Sequence, residues 1–303
     1  MAYNCIVPIK QVPDTKRITG EAMNDDGTVN RGALPAIFNP EDLNALELAL
    51  HIKDKFGGKV TAITMGLPAA GAILRESLYR GADDAILITD KRCAASDTLA
   101  TSYILSCAIK KLDYDIVLCG RQAIDGDTAQ VGPQLAEKLS IPQITYVEEL
   151  ISLENRSIIA KRNIGSGWQE VQCKLPVLLT VVGEANEPRI SVAKRLMKYK
   201  NAKTPVEIEL QAKLDNAGAT DDELKQLVLR KIDELRQKGL LMKQWDLDFL
   251  EADLQWCGRD GSPTKVHRIQ SVILTARESK AVEPTEQGVA DMVHELIKDK
   301  TIS

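Results

Sequence analysis

Residues 119–133, C-G-R-Q-A-I-D-G-D-T-A-Q-V-G-P, concentrate the groups in this chain best suited to hold a charged ligand. Gly120 and Gly126 permit a tight turn and close approach of the backbone. Amides around Gly126, Asp127 and Thr128 suit an anion-binding concavity ahead of a helix that starts near Gly132 and Pro133. A diphosphate is the guest this chemistry suggests. Asp125 and Asp127 would repel it at close range, so we assign the phosphates to backbone N–H groups and the Thr128 hydroxyl. The two carboxylates are left for sugar or ribityl hydroxyls or for helix capping. Arg121 is the only fixed positive charge inside the loop. A helix N-terminus contributes about 0.3–2 kcal/mol toward an anion, so other segments must share the grip. The plainer alternative is a surface turn rich in Gly and Asp. Neither G-x-G-x-x-G nor G-x-x-x-x-G-K-[ST] occurs.

The elements around this stretch decide between those readings. An apolar run at 115–119 precedes it and has the length and β-branching of a buried parallel strand. Similar runs at 5–9, 59–65 and 85–89 alternate with helical stretches. One opens at Asn39-Pro40-Glu41-Asp42, with Asn39 expected as N-cap, Pro40 first in the helix and acids in the first turn. Another begins at Pro68 after Met65-Gly66, and a third is capped near Ser96-Asp97-Thr98. Such alternation requires right-handed crossovers and a parallel sheet covered on both faces. Pro8, Met65, Gly66, Thr98 and the central loop then share the strands' carboxyl edge, where open α/β sheets bind ligands.

With 303 residues, 44% of them hydrophobic, the chain can bury a full core. A net charge of −4 with no basic stripe, and only three Phe and three Trp, argue against nucleic acid as a partner. The six cysteines contain no C-x-x-C, and Cys5, Cys107, Cys119 and Cys173 lie in apolar patterns. They are expected to be buried thiols of a cytoplasmic protein. His51, His267 and His294 are far apart in sequence and expected at the surface, so neither a metal site nor a histidine base is expected. No apolar run is long enough for a membrane span.

After Pro142 the strand-like runs 143–150, 157–163, 168–174 and 177–182 suggest antiparallel strands extending the sheet. Residues 10–38 read as a long polar segment with a turn at Asp25-Asp26-Gly27, and 190–200 as a short basic helix. From 204 the composition is highly charged. A capping box at Thr220 and Glu223 announces a lone amphipathic helix over 221–238, packed outside the core. A strand at 271–275 and a helix at 286–298 complete a tail too thin to own a core. The expected organisation is 1–203 as a nucleotide-binding α/β domain, 204–245 as a charged helical insertion, and 246–303 as an arm.

Several runs together resemble the β subunit of electron transfer flavoproteins. They are Lys10-Gln-Val-Pro-Asp14, Gly120-Arg-Gln-Ala-Ile-Asp125, Lys161-Arg162 through Gly165 and Glu170 to Lys174-Leu-Pro-Val-Leu-Leu-Thr180, and Asn186-Glu-Pro-Arg189. The resemblance covers most of 1–203 and resumes at 261–266. It implies a Rossmann-like open, mostly parallel sheet with helices on both faces, plus an extended C-terminal arm reaching the α subunit of an obligate heterodimer. In ordinary members the β site holds AMP. In electron-bifurcating members it holds FAD, with NADH docking beside it, and electrons pass to ferredoxin and, through the α-subunit FAD, to a flavin-dependent dehydrogenase. The D-G-D-T-A-Q-V-G-P run at 125–133 is similar to the bifurcating branch, where Gly126 opens space and Thr128 adds a hydroxyl donor.

Cofactor contacts carried over from the resemblance are Pro8, Asn39, Pro40, Glu41, Asp42, Met65, Gly66, Thr98, Gly120, Arg121, Gln122, Ala123, Ile124, Asp125, Gly126, Asp127, Thr128, Ala129, Gln130 and Val131. The loop Arg189, Ile190, Ser191, Val192, Ala193, Lys194 resembles the family's docking loop, with Ala193 where other members place Leu. Alternatives are the AMP-holding member of the same family and, from another class, a universal-stress-like ATP-binding regulatory protein. A hydrolase using Asp125 and Asp127 as metal ligands is weaker, because supporting ligands are missing nearby.

Overall fold

Five apolar runs form parallel strands: β1 (Cys5–Pro8), β4 (Val60–Met65), β5 (Asp84–Ile88), β6 (Ile116–Gly120) and β10 (Val177–Val181). They lack hydrophobic alternation because both of their faces are covered. The computed structural model describes residues 2–14, 34–265 and 281–298. Helices α1 (Pro40–Phe56) and α2 (Gly71–Arg80) cover one face of the sheet, where Leu46, Leu50, Ile73 and Leu74 meet Val7, Leu118 and Leu179. On the other face α3 (Thr98–Ile109) and α4 (Val131–Leu139) bring Ile104, Ile109 and Leu135 against Ile6, Val117 and Leu178. Each such side chain stabilises the fold by about 1.5–3 kcal/mol on full burial.

The remaining strands are β2 (Gln11–Pro13), β3 (Ala36–Phe38), β7 (Gln143–Glu154), β8 (Ser157–Asn163), β9 (Trp168–Lys174) and β11 (Lys243–Trp245). The large sheet has the order β11-β5-β4-β1-β6-β10-β7-β8-β9, and β2 pairs with β3 separately. From β1 the chain winds outward through β4 to β5, then returns to lay β6 on the opposite side of β1. The crevice between the carboxyl ends of β1 and β6 is therefore the point where strand order reverses.

Four departures from the sequence-based expectation have physical causes. Residues 177–181 do not extend an antiparallel meander: β10 threads between β6 and β7, parallel to both. All five of its residues are buried, unlike those of β9, and a strand apolar on both faces belongs inside a sheet. The helix over 221–238 is not alone. Thr204 and Glu207 form a second capping box with Pro205 at the first turn, opening α6 (Pro205–Asp215) beside α7 (Asp221–Gln237). The charged segment also does not stay outside the core, because it ends in β11, which pairs in parallel with β5 and becomes the edge strand of the sheet. Finally, the short basic helix α5 is confined to Ala193–Tyr199, since 189–192 are held as a loop.

The chain divides into two compact units, Met1–His267 and Arg268–Ser303, and the described part of the second contains α8 (Glu286–Lys298), as expected. The turn at 25–27, the strand at 271–275, Val266 and His267 lie outside the described residues. All six cysteines are free; Cys107 and Cys173 are half-buried and the other four are buried. No helix among the described residues is long and apolar enough to cross a membrane.

Candidate functional site

The N-terminus of α1 holds the loop that follows β6. Asn39 occupies the N-cap position, but its side chain makes no cap bond. Fully buried, it donates from Nδ2 to the Gln122 carbonyl at 2.9 Å and accepts the Ile124 amide at 3.1 Å. The expected capping role is thus replaced by a clamp across the loop. Glu41 accepts the Gln122 amide at 2.9 Å through one oxygen and pairs with Arg121 at 2.7 Å through the other. Asp42 accepts the Gly120 amide at 3.2 Å and the Lys10 amide at 2.8 Å, tying the ends of β1 and β6 to α1. Gly120 is obligatory in this arrangement, because an added Cβ would lie 2.4 Å from Asp42 Oδ1 and 2.7 Å from the Glu41 carbonyl carbon.

Burial dominates the electrostatics of Asp42 and pushes its carboxyl up to about 7, against the opposing effect of hydrogen bonds from Asn39, Lys10 and Gly120. The Cys119 thiol beside it is also raised, first by burial and then by the Asp42 charge. Lys10 supplies a second cation that we did not assign from the sequence. Its ammonium grips both Asp125 oxygens at 2.8 and 2.7 Å, so this carboxylate faces a cation from beyond the loop.

The second half of the loop is built differently. The amides of Gly126 and Asp127 both donate to the Ala123 carbonyl, at 3.3 and 2.9 Å, and so are committed to a turn rather than to the phosphate cradle assigned to them. The amides of Thr128, Ala129 and Gln130 have no acceptor among the described residues. Asp127 and Ala129 adopt left-handed φ values of 48° and 52°, backbone strain of the kind that clusters at ligand clamps. Gln130 gives α4 no side-chain cap; its Oε1 instead accepts the Thr98 hydroxyl at 3.0 Å. Gln134, which the sequence did not flag, donates to Thr98 at 3.3 Å and leaves a buried Oε1 without a partner. An added Cβ on Gly126 would meet nothing within 4 Å. Unspent amides, an orphaned buried acceptor and open space at Gly126 fit a phosphate-bearing nucleotide.

Hydrogen bonds therefore join Asn39, Glu41, Asp42 and the loop from Gly120 to Ile124 into one unit, and Thr98 to Gln130 and Gln134 into another. Pro8 ends β1 just before Lys10, and Pro40 is the first residue of α1. Met65 ends β4 on the same edge and Gly66 follows it, its amide bonded to the Ile88 carbonyl and not to the loop. The Arg121 guanidinium turns to Glu41 and stacks over Tyr146 at 5.7 Å.

The loop Arg189–Lys194 is a separate place, fixed to α1 and α2. Glu47 receives the Arg189 amide at 2.9 Å and its Nε at 3.0 and 2.9 Å, while Asp54 pairs with its Nη2 at 2.9 Å. Arg80 donates to the Arg189 carbonyl, the Val192 amide to the Tyr79 carbonyl at 3.1 Å, and Arg195 to the Leu78 and Ala82 carbonyls. Between these clamps Ile190 is 85% exposed, more than Val192 at 46%, and Ala193 merely begins α5.

Residues 26–213 match the family model described as the electron transfer flavoprotein domain. The chain is 38% identical over 299 residues to the electron transfer flavoprotein subunit beta of Clostridium acetobutylicum, covering 99% of this chain and all of that one. It is 48% identical over 195 residues to the acryloyl-CoA reductase electron transfer subunit gamma of Anaerotignum propionicum, covering 63% and 72% of the two chains. It is also 48% identical over 186 residues to the caffeyl-CoA reductase-Etf complex subunit CarD of Acetobacterium woodii, covering 61% and 70%.

Proposed function

From the premise that the chain belongs to the electron transfer flavoprotein family, as a β subunit, we propose that its strand-edge site seats FAD in an electron-bifurcating complex. The observation that carries this reading is the split character of the central loop. Buried side chains fix its first half, while the second half offers three successive uncommitted amides beside a glycine that faces open space. Thr128 to Gln130 and the start of α4 would hold the diphosphate, and Thr98 and Gln134 would orient its flank. The chemistry that FAD supplies when bound is acceptance of a hydride from NADH and release of single electrons, one to ferredoxin and one through the α-subunit flavin to a partner dehydrogenase. This chain's own residues act as neither acid nor base. They fix the seat and set its charge: Lys10 neutralises Asp125 beside the phosphates, and Asp42 holds the β1 and β6 ends in register.

The relatives named for acryloyl-CoA and caffeyl-CoA reductase complexes favour a partner dehydrogenase that reduces an enoyl-CoA. We assign its docking to the loop Arg189–Lys194, with Ile190 as the anchor in place of the leucine that Ala193 replaces. The test is to denature the purified heterodimer with its α subunit and quantify the released nucleotides. Two FAD per heterodimer is the expected result. One FAD with one AMP would overturn the bifurcating reading and leave the site a structural nucleotide seat.

A further inference from the structure

Next to the α1 clamp, residues at the ends of β6, β8 and β10 and within β7 line an open cleft of about 560 Å³, within the range of small-ligand sites. Two guanidinium groups line it. Arg121 continues the ladder after β6, its amide bonded to the Val181 carbonyl at 2.9 Å, and Arg162 stands near the end of β8 opposite Val147. Tyr146 also lines the cleft, where the register of β7 against β10 slips, at a left-handed φ of 58°, with its amide on the Thr180 hydroxyl at 3.0 Å. Such irregularities re-aim side chains and recur beside binding sites. Here the displaced ring lies under the Arg121 guanidinium.

The charge balance of the cleft is uneven. Arg121 has one carboxylate partner, Glu41. Arg162 has no ion pair among the described residues; its one hydrogen bond goes from Nη2 to the neutral Thr145 hydroxyl at 2.8 Å. Both Nε atoms are buried without an acceptor. Each guanidinium carries five donors, so most of this capacity is unspent, and two cations facing one cleft repel each other until an anion joins them. Nearby Lys161 is paired with Glu148, and the one acid in the lining, Glu184, is exposed at its rim. A single guanidinium fork suffices for a carboxylate, whereas two forks lining one cleft suit the several oxygens of a phosphoryl group.

We propose that this cleft is a second anion site, adjoining the nucleotide loop at Arg121, that takes the phosphate or diphosphate of a small ligand between Arg162 and Arg121. It goes beyond the flavin reading and does not depend on it. The test is calorimetric titration of inorganic pyrophosphate into the purified heterodimer with its own nucleotide in place. Saturable binding at one site is expected, weakened at least tenfold in Arg162→Gln. Tightening of several-fold is expected in Glu184→Gln, a gain that misfolding cannot imitate. Nucleotide content, measured on the same samples, is expected to be equal in all three proteins, so failure of the flavin reading registers there and not in the titration. A further arm adds NADH: competition with pyrophosphate would assign the site to a dinucleotide's diphosphate, and its absence to another phosphorylated ligand, both upholding the anion site. No saturable binding to the wild type would give the arginines to an acidic side chain of the α subunit and overturn the proposal. Equal affinity in Arg162→Gln would also overturn it.

Discussion

The loop after β6 and the loop before α5 are both held by charged and amide side chains of α1, yet they present opposite things to their surroundings. In the first, Asn39 and Asp42 are buried and spend their polar atoms on main-chain groups of residues 120–124, so that the next few amides are left unspent at the surface. In the second, Glu47 and the Arg80 and Arg195 side chains fix the backbone on either side of Ile190 and leave an apolar side chain standing in water. The contrast teaches that one helix can organise two kinds of surface. Fixed backbone donors suit a small anion, and a fixed apolar anchor suits a protein surface, because either gains affinity when its ordering cost is already met.

The comparison breaks first at Asp42. Its folded-state carboxyl lies near 7, above the ordinary 3.8, so between about pH 4 and 7 the folded protein keeps a proton that the unfolded chain has released. Unfolding then releases that proton, and stability falls as pH rises through this window and levels off above it. A shift of about three units corresponds to roughly 4 kcal/mol at most. Asp42→Asn does not titrate, so the wild-type advantage measured by urea denaturation is expected to decline by a few kcal/mol from pH 4 to 7. Parallel stability curves would show that Asp42 is ionised throughout and that its three donors outweigh burial.

Replacing Ile190 sharpens the other side of the comparison. Ile190→Ala removes a side chain with almost no contacts in this subunit, so stability is expected to stay within about 0.5 kcal/mol of wild type. Affinity for the partner dehydrogenase, followed by surface plasmon resonance, is expected to drop about tenfold or more, as for a central apolar hot spot. Unchanged affinity would move the anchor elsewhere on the surface.

These two loops were unequally legible in the sequence. The strand ends, the Pro40 helix start and the Gly-Asp turn follow from local rules, and the strand ends stand within about one residue of where those rules put them. Asn39 misled because N-cap preference is also local, whereas its side chain bonds groups 83 and 85 residues away. Gln134 gave no signal, since its role depends on α3 and α4 lying side by side. The threading of β10 was half visible in its unbroken apolar run, but pairing partners are set by the whole sheet. Ile190 could not be ranked above Ala193 until the clamps on Arg189, Val192 and Arg195 showed which side chain was left outside.

Lys10 brings both kinds of contact into one residue, and the smallest expected effect comes from there. Its amide bonds buried Asp42, while its ammonium, half exposed, bonds Asp125. Lys10→Met keeps the first and deletes the second. An exposed pair contributes about 0.2–1 kcal/mol and is screened by salt. Denaturation should therefore show a loss of that size at low ionic strength and almost none at high. The bound nucleotide should leave a few-fold faster at low salt, because one cation fewer would then offset Asp125 beside the phosphates. A loss above about 2 kcal/mol that persisted in high salt would exceed what an exposed ion pair can supply. It would mean that the side chain packs as part of the seat, and that the first loop, like the second, depends on a fixed side chain as much as on its backbone.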